Sequence, residues 1–132
     1  MEGSVRFVRQ GGYTVVDSET GLEWQLRPSD DPMVWKDGVA YVETLNKNRF
    51  GGHSDWRLPS TNELKSLIAP EEDGATGLFV DKIFGFQKCF WTGTETDHQR
   101  HRAAYADFYY GDMYIMEENY ANFYIRAVRS LN

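Results

Sequence analysis

One stretch restricts what this chain can fold into more than any other: Gly51-Gly52-His53-Ser54-Asp55-Trp56-Arg57-Leu58-Pro59-Ser60-Thr61-Asn62-Glu63-Leu64. The paired glycines supply backbone conformations closed to other residues, which marks a tight turn or a close approach of chain to chain. Ser54 and Asp55 can fold their side chains back onto local amides. Trp56, Arg57 and Leu58 follow as a short extended piece, because Pro59 pushes Leu58 away from helical angles. Ser60 and Glu63 have the spacing of a capping box, so a helix is predicted from Thr61 to Ala69, ending before Pro70. Trp56 and Arg57 admit two readings, a binding site or scaffolding. A tryptophan in a glycine corner ahead of a capped helix is read as core, with Arg57 tying nearby carbonyls or a carboxylate such as Asp55.

The rest of the chain is organised around that corner. Phe7 to Val8 and Tyr13 to Val16 suit pleated, half-buried surfaces. Asp17-Ser18-Glu19-Thr20-Gly21 is a turn, after which Leu22, Trp24 and Leu26 alternate inward, so a hairpin is predicted. Arg27 to Met33 is a loop. From Trp35 the period changes, and Trp35, Val39, Val42 and Leu45 share one face of a helix over 34–48, weakened by Gly38. Leu78, Phe79, Ile83 and Phe84 plug the core from an irregular segment over 77–86. Phe90-Trp91-Thr92 reads as a buried strand, with Cys89 beside it as a small buried hydrophobe rather than a nucleophile. Thr94 to Arg102 reads as a polar surface loop. Strands are then predicted at Ala103 to Tyr110, Met113 to Met116 and Asn122 to Arg129, with a polar link at Glu117-Glu118-Asn119. Phe123, Ile125 and Ala127 fall on one face of the last strand, Tyr124, Arg126 and Val128 on the other. Strands gathered around two helices indicate an α+β fold with an antiparallel sheet.

Composition excludes several classes. The chain has 132 residues, enough for one core of ordinary size, and nothing marks a second domain. With 14 basic and 20 acidic residues the net charge is −6, which disfavours binding of nucleic acid or anionic membrane. No apolar run is long enough to insert across a bilayer. Cys89 is the single cysteine, so neither an internal disulfide nor a cysteine zinc cluster can form. The start, Met1-Glu2-Gly3-Ser4, lacks an apolar signal core, as in a cytoplasmic chain or in a mature segment given a new start.

Chemistry is sparsely marked. There is no nucleophile elbow, phosphate-binding glycine loop or zinc-protease helix, and no enzyme is expected. Glu71-Glu72-Asp73-Gly74 is a solvated acidic turn or part of a calcium site, although its oxygens do not follow EF-hand spacing. His98, Arg100, His101 and Arg102 form the one basic cluster of an acidic protein and are candidates for an anionic ligand such as a sulfate. Tyr105, Tyr109, Tyr110, Tyr114, Tyr120 and Tyr124 crowd a short stretch. Alternation puts some on the outer face, where Tyr109, Tyr110 and Tyr114 are candidates to meet a glycan or protein, while cross-strand pairing is the structural alternative.

The corner motif also carries a resemblance. Gly51-Gly52, then Ser54-Asp55-Trp56-Arg57-Leu58-Pro59 and Asn62-Glu63-Leu64, resemble the central motif of the C-terminal domain family of Legionella collagen-like adhesins. Three further pieces match that family in order: Thr20 to Gln25, Phe90 to Thr94 and Tyr124 to Arg129, so the likeness runs from about Thr14 to Arg129. The resemblance implies structural places for Trp24, Gly51, Gly52, Asp55, Trp56, Arg57, Pro59, Trp91 and Arg126. Family members often carry cysteine where Val42 and Ala127 stand here, so packing is expected in place of a bridge. The Trp-Arg-Leu-Pro piece is similar to one in formylglycine-generating enzymes, whose copper-holding cysteine pair is absent. That similarity implies a C-type-lectin-like single domain, two helices packed on antiparallel sheet, with first and last strands meeting. The resemblance further implies a secreted or cell-surface adhesion domain that binds sulfated polysaccharide as a trimer, a ligand the negative charge opposes. The alternatives are an interaction module whose tyrosine face is buried between subunits and, behind it, an enzyme on a lectin-like scaffold.

Overall fold

The computed structural model describes residues 5–131, so the Met1-Glu2-Gly3-Ser4 start lies outside them. The fold is α+β. The strands β1 (Phe7–Gln10), β2 (Thr14–Asp17) and β3 (Leu22–Gln25) form an antiparallel meander. Helix α1 (Trp35–Lys47) follows, then a turn of 3₁₀ helix at Phe50–Gly52 and the short helix α2 (Thr61–Lys65). The strands β4 (Cys89–Asp97), β5 (Arg102–Asp107) and β6 (Asp112–Glu117) form a second antiparallel meander, and β7 (Val128–Ser130) closes the chain.

Two sheets therefore stand where one was predicted: four strands in the order β1-β2-β3-β7, and three in the order β4-β5-β6. The last strand meets β3, not the first strand, which occupies the opposite edge of its sheet. Nor is 122–129 one continuous strand. Phe123 bridges Met33, Tyr124 bridges Phe90, and only Val128 to Ser130 joins a ladder. The reason is that this segment serves two cores at once. Phe123, Ile125 and Ala127 enter one that holds Val42, Trp56 and Trp91, while Tyr124 and Val128 enter another that holds Trp24, Leu64, Phe84 and Phe90. The predicted alternation is thus real, but both faces are buried.

Val42 and Ala127 lie in the same cluster, both buried, so apolar packing joins α1 to the final segment. Gly38 has a steric reason to be glycine: a Cβ there would lie 2.5 Å from Ile125 Cδ1. Helix α2 is four residues shorter than predicted. After Lys65 the chain tightens into bonds from Leu67 N to Leu64 O and Ile68 N to Lys65 O, the three-residue spacing of 3₁₀ turns. Strand β3 also departs from simple alternation, because all four of its residues are buried. Glu23 accepts from Thr14 Oγ1 at 2.6 Å and pairs with Arg129, and Gln25 donates to Tyr41 Oη at 2.9 Å.

Arg126 sits between the two cores, 1% exposed. Its guanidinium donates to the carbonyls of Gln25 and Leu26 at 2.6 Å each and of Phe84 at 2.7 Å, and lies over the rings of Phe84 and Phe90. Burial pushes its pKa down to about 9, which leaves it charged at neutral pH. Replacing Arg126 by methionine keeps volume but strands three buried carbonyls. We expect a loss of about 3–5 kcal/mol in urea-induced unfolding, several times that of an exposed control such as Arg100→Met.

Candidate functional site

The glycine corner is built from its own residues outward, around a buried tryptophan. Gly51 and Gly52 have φ of 62° and 86°, which other residues rarely adopt. Trp56 is 3% exposed; its indole N–H donates to the Phe50 carbonyl at 2.8 Å, and its backbone is clasped at both ends by the Asn46 side chain. Ser60 and Glu63 form the capping box. Arg57 pairs with Glu63 through two bonds of 2.6 and 2.8 Å, not with Asp55, whose carboxylate takes Arg129 at 2.7 Å instead of local amides. The backbones of Arg57 and Val128 exchange hydrogen bonds, and Pro59 O accepts from Gly93 N. The corner therefore ties both sheets together; its outer rim, Gly51 to His53, borders an open groove of about 590 Å³ with Tyr13, Glu23 and Phe50, which Trp56 and Arg57 do not line.

The predicted ligand-binding residues separate into two groups at opposite ends of β5. His98, Arg100 and His101 lie at the tip of the β4–β5 hairpin and Arg102 at the start of β5, whereas Tyr109 and Tyr110 lie in the turn that follows β5. At about 3.4 Å per strand residue the two ends are roughly 20 Å apart. The predicted loop over 94–102 is strand at both ends, since β4 runs on to Asp97 and β5 starts at Arg102, which leaves only 98–101 as the turn.

The basic tip is not basic in space. His98 lies 3.2 Å from Glu95, Arg100 3.8 Å from Asp97 and Arg102 4.0 Å from Glu117. The two histidine rings are 6.2 Å apart, and His101 has a φ of 56°. Among the described residues no group of three or more histidine, cysteine or acidic side chains is placed to hold a metal ion. In the acidic turn, Asp73 Oδ1 accepts from the backbones of Ala75 and Thr76.

The tyrosine end has a different character. Asp107, buried at the end of β5, accepts from the amides of Tyr109 at 2.9 Å and Tyr110 at 3.2 Å and so fixes the turn that carries both rings. Tyr109, Tyr110 and Tyr114 are exposed. They continue a chain of touching rings that begins in the core: Trp91 against Phe123 at 4.7 Å, Phe123 stacked on Tyr105 at 4.3 Å and Tyr105 beside Tyr114 at 5.9 Å. Tyr114 then meets Tyr110 at 6.5 Å, and Tyr110 meets Tyr109 at 5.0 Å. Lys88 Nζ stands 4.9 Å from the Tyr109 ring centre. Cross-strand pairing accounts for Tyr105 with Tyr114, and core packing for Tyr124, but neither covers Tyr109, Tyr110 or Tyr120. Asp107 and Lys88 went unread in the sequence. The aspartate four residues before Gly111 was the available signal for a turn, where a strand to Tyr110 was predicted. Cys89 is half-buried beside Asp107, and burial together with that carboxylate pushes its thiol up to about 12, far from a nucleophile's range.

The chain belongs to the Lcl C-terminal domain family, whose model matches residues 13–129; this is an adhesin-associated family and not a known enzyme family. No curated protein matches the chain significantly. No helix among the described residues is long and apolar enough to cross a membrane.

One titrating group was hidden in the predicted polar link. Glu118 is buried, one of its carboxyl oxygens has no hydrogen-bond partner among the described residues, and its backbone joins His101 to Trp35. Burial, and then the neighbouring Glu95 carboxylate, raise the Glu118 carboxyl to about 7. Glu95 is held below its usual range, chiefly by its bond to Glu118. A raised acid binds a proton in the folded state that the unfolded chain has already released, so its stabilisation is complete below about pH 4.5 and is lost as pH rises through about 7. The melting temperature should fall between about pH 5 and 8. Glu118→Gln, which keeps the donor without the titration, should flatten that fall in circular-dichroism melts.

Proposed function

We propose that this is a non-enzymatic binding domain of the cell-surface or secreted adhesin type, and that it takes a neutral glycan on the tyrosine platform formed by Tyr109, Tyr110 and Tyr114. The observation that carries this reading is the unbroken line of rings from buried Trp91 to exposed Tyr109. Rings packed against one another and onto a core lose little freedom on binding, so less of the contact energy is spent on ordering. Sugar rings present apolar C–H faces that suit exposed aromatic faces, and the Lys88 ammonium stands nearby for hydroxyls. Family membership supplies the context of adhesion. A sulfated chain suits the protein less, because Asp97 and Glu117 lie against the two guanidiniums of the hairpin tip and Glu95 lies against His98. Stacking of this kind needs no ion, so the reading includes calcium-independent binding.

The test is a glycan array followed by calorimetry on the ligands found, with and without a chelator. Tyr109→Ala combined with Tyr110→Ala should weaken binding by at least about tenfold while stability changes by less than about 0.5 kcal/mol, since both side chains are exposed. Unchanged binding in that variant would refute the platform. Salt-sensitive heparin binding abolished by changing Arg100 and Arg102 together would instead assign the ligand to the hairpin tip. A concentration-independent trimer in light scattering, lost in Tyr110→Ala, would replace ligand binding by self-assembly.

A further inference from the structure

The outer edge of the second sheet carries a feature that the glycan reading does not use. Among the described residues strand β6 pairs with β5 on one side only. Its register against β5 runs without a break from Glu117 opposite Arg102 to Asp112 opposite Asp107, whereas the β4–β5 ladder is interrupted. The strand is therefore straight enough to accept a neighbour. Bonded and non-bonded pairs alternate in an antiparallel ladder. The bond from Glu118 N to His101 O fixes the phase, so the amides of Met116, Tyr114 and Asp112 face β5 and those of Glu117, Ile115 and Met113 face outward. Two outward groups are already satisfied: Met113 N donates to Asp112 Oδ1 and Glu117 O accepts from Tyr120 N. Between them Ile115 keeps an outward N–H and C=O.

Exposed edges in native sheets are guarded by lysine, proline or bulges. β6 has none of these, and its sequence between Asp112 and Glu117 is Met-Tyr-Ile-Met. Ile115 is 58% exposed, and a shallow groove of about 430 Å³ lies beside it, walled by Arg102, Met116, Glu117 and Tyr120. By contrast β1, an edge strand of the other sheet, carries an exposed arginine, Arg9. We infer that β6 receives an extended peptide as a fourth strand, one with an apolar middle and cationic side chains five residues apart facing Asp112 and Glu117. A second copy of β6 is the poorer occupant. Antiparallel pairing about the strand's middle sets Asp112 of each copy against Glu117 of the other, and like charges directly opposite destabilise a pair.

The probe is a capped, fluorescein-labelled peptide of sequence Lys-Thr-Val-Thr-Val-Lys, followed by fluorescence polarisation against the intact protein. Binding should be saturable and should weaken with salt. A peptide N-methylated at alternate residues, on the side that would face β6, should bind at least about tenfold more weakly. Ile115→Pro removes an outward amide without touching the β5 ladder, a position where an edge strand tolerates proline, and should cause a similar loss. Asp112→Lys with Glu117→Lys should reverse the preference toward a peptide with glutamate at both ends. No saturable binding by the lysine peptide, or equal binding of its N-methylated form to wild-type protein, overturns the inference, and neither result depends on a variant folding. The glycan reading fails separately, because Tyr109→Ala with Tyr110→Ala removes the platform rings and leaves the outward Ile115 amide and the β5–β6 ladder in place.

Discussion

A buried guanidinium with no carboxylate partner among the described residues is the constraint on which the two halves of this molecule depend. Desolvating a cation is costly, and Arg126 recovers that cost from three carbonyls and the faces of two rings. Those carbonyls come from the end of β3 and from the irregular segment near Phe84, elements that no regular ladder joins. Arg126 therefore fixes the height at which the C-terminal segment runs between the cores. With that height set, Tyr124 reaches Phe90, Ile125 fills the space left by Gly38, and Phe123 comes to rest between Trp91 and Tyr105. The tyrosine platform thus stands on a side chain three residues from the arginine.

Much of this was legible from local pattern. The capping box at Ser60, the 3.6-residue period of α1, the first hairpin and the burial of Trp56 follow from interactions spanning a few residues, which a sequence displays directly. Partner choice over long separations was not legible. Arg57 had an acidic neighbour two residues back, yet Glu63 offers a bidentate geometry that Asp55 does not, and Asp55 is claimed by Arg129 from 74 positions away. Gly38 read as a weak point in a helix because its compensation, close approach to Ile125, lies far along the chain. The polar residues of β3 read as an outward face because Arg129, Thr14 and Tyr41, which make their burial tolerable, belong to other elements.

The site was legible in the same uneven way. Counting cations along 98–102 gives a basic patch, but a hairpin juxtaposes strands, and the strands bring Glu95, Asp97 and Glu117 against those cations. Linear charge density is a poor guide wherever the chain folds back on itself. The tyrosine crowding survives folding better, because strand alternation and turn position decide exposure and both are local. What the sequence could not display is the support beneath the rings, since Phe123 and Trp91 approach Tyr105 from other segments.

That support also explains how a single sheet can present two kinds of surface without either one compromising the other. Side chains of the β5–β6 turn project beyond the strand ends and are held by Asp107 and by ring contacts, so their geometry does not rely on β6 having a free edge. The edge of β6 offers backbone groups, whose direction is set by the ladder with β5 and not by the rings. A partner that stacks reads side-chain faces and is indifferent to the outward amide of Ile115; a partner that adds a strand reads that amide and is indifferent to Tyr109. Because the amide phase and the ring stack are fixed by different interactions, selection can alter one surface while the other stays intact. That independence suits a domain whose scaffold is locked by a glycine corner and a buried arginine.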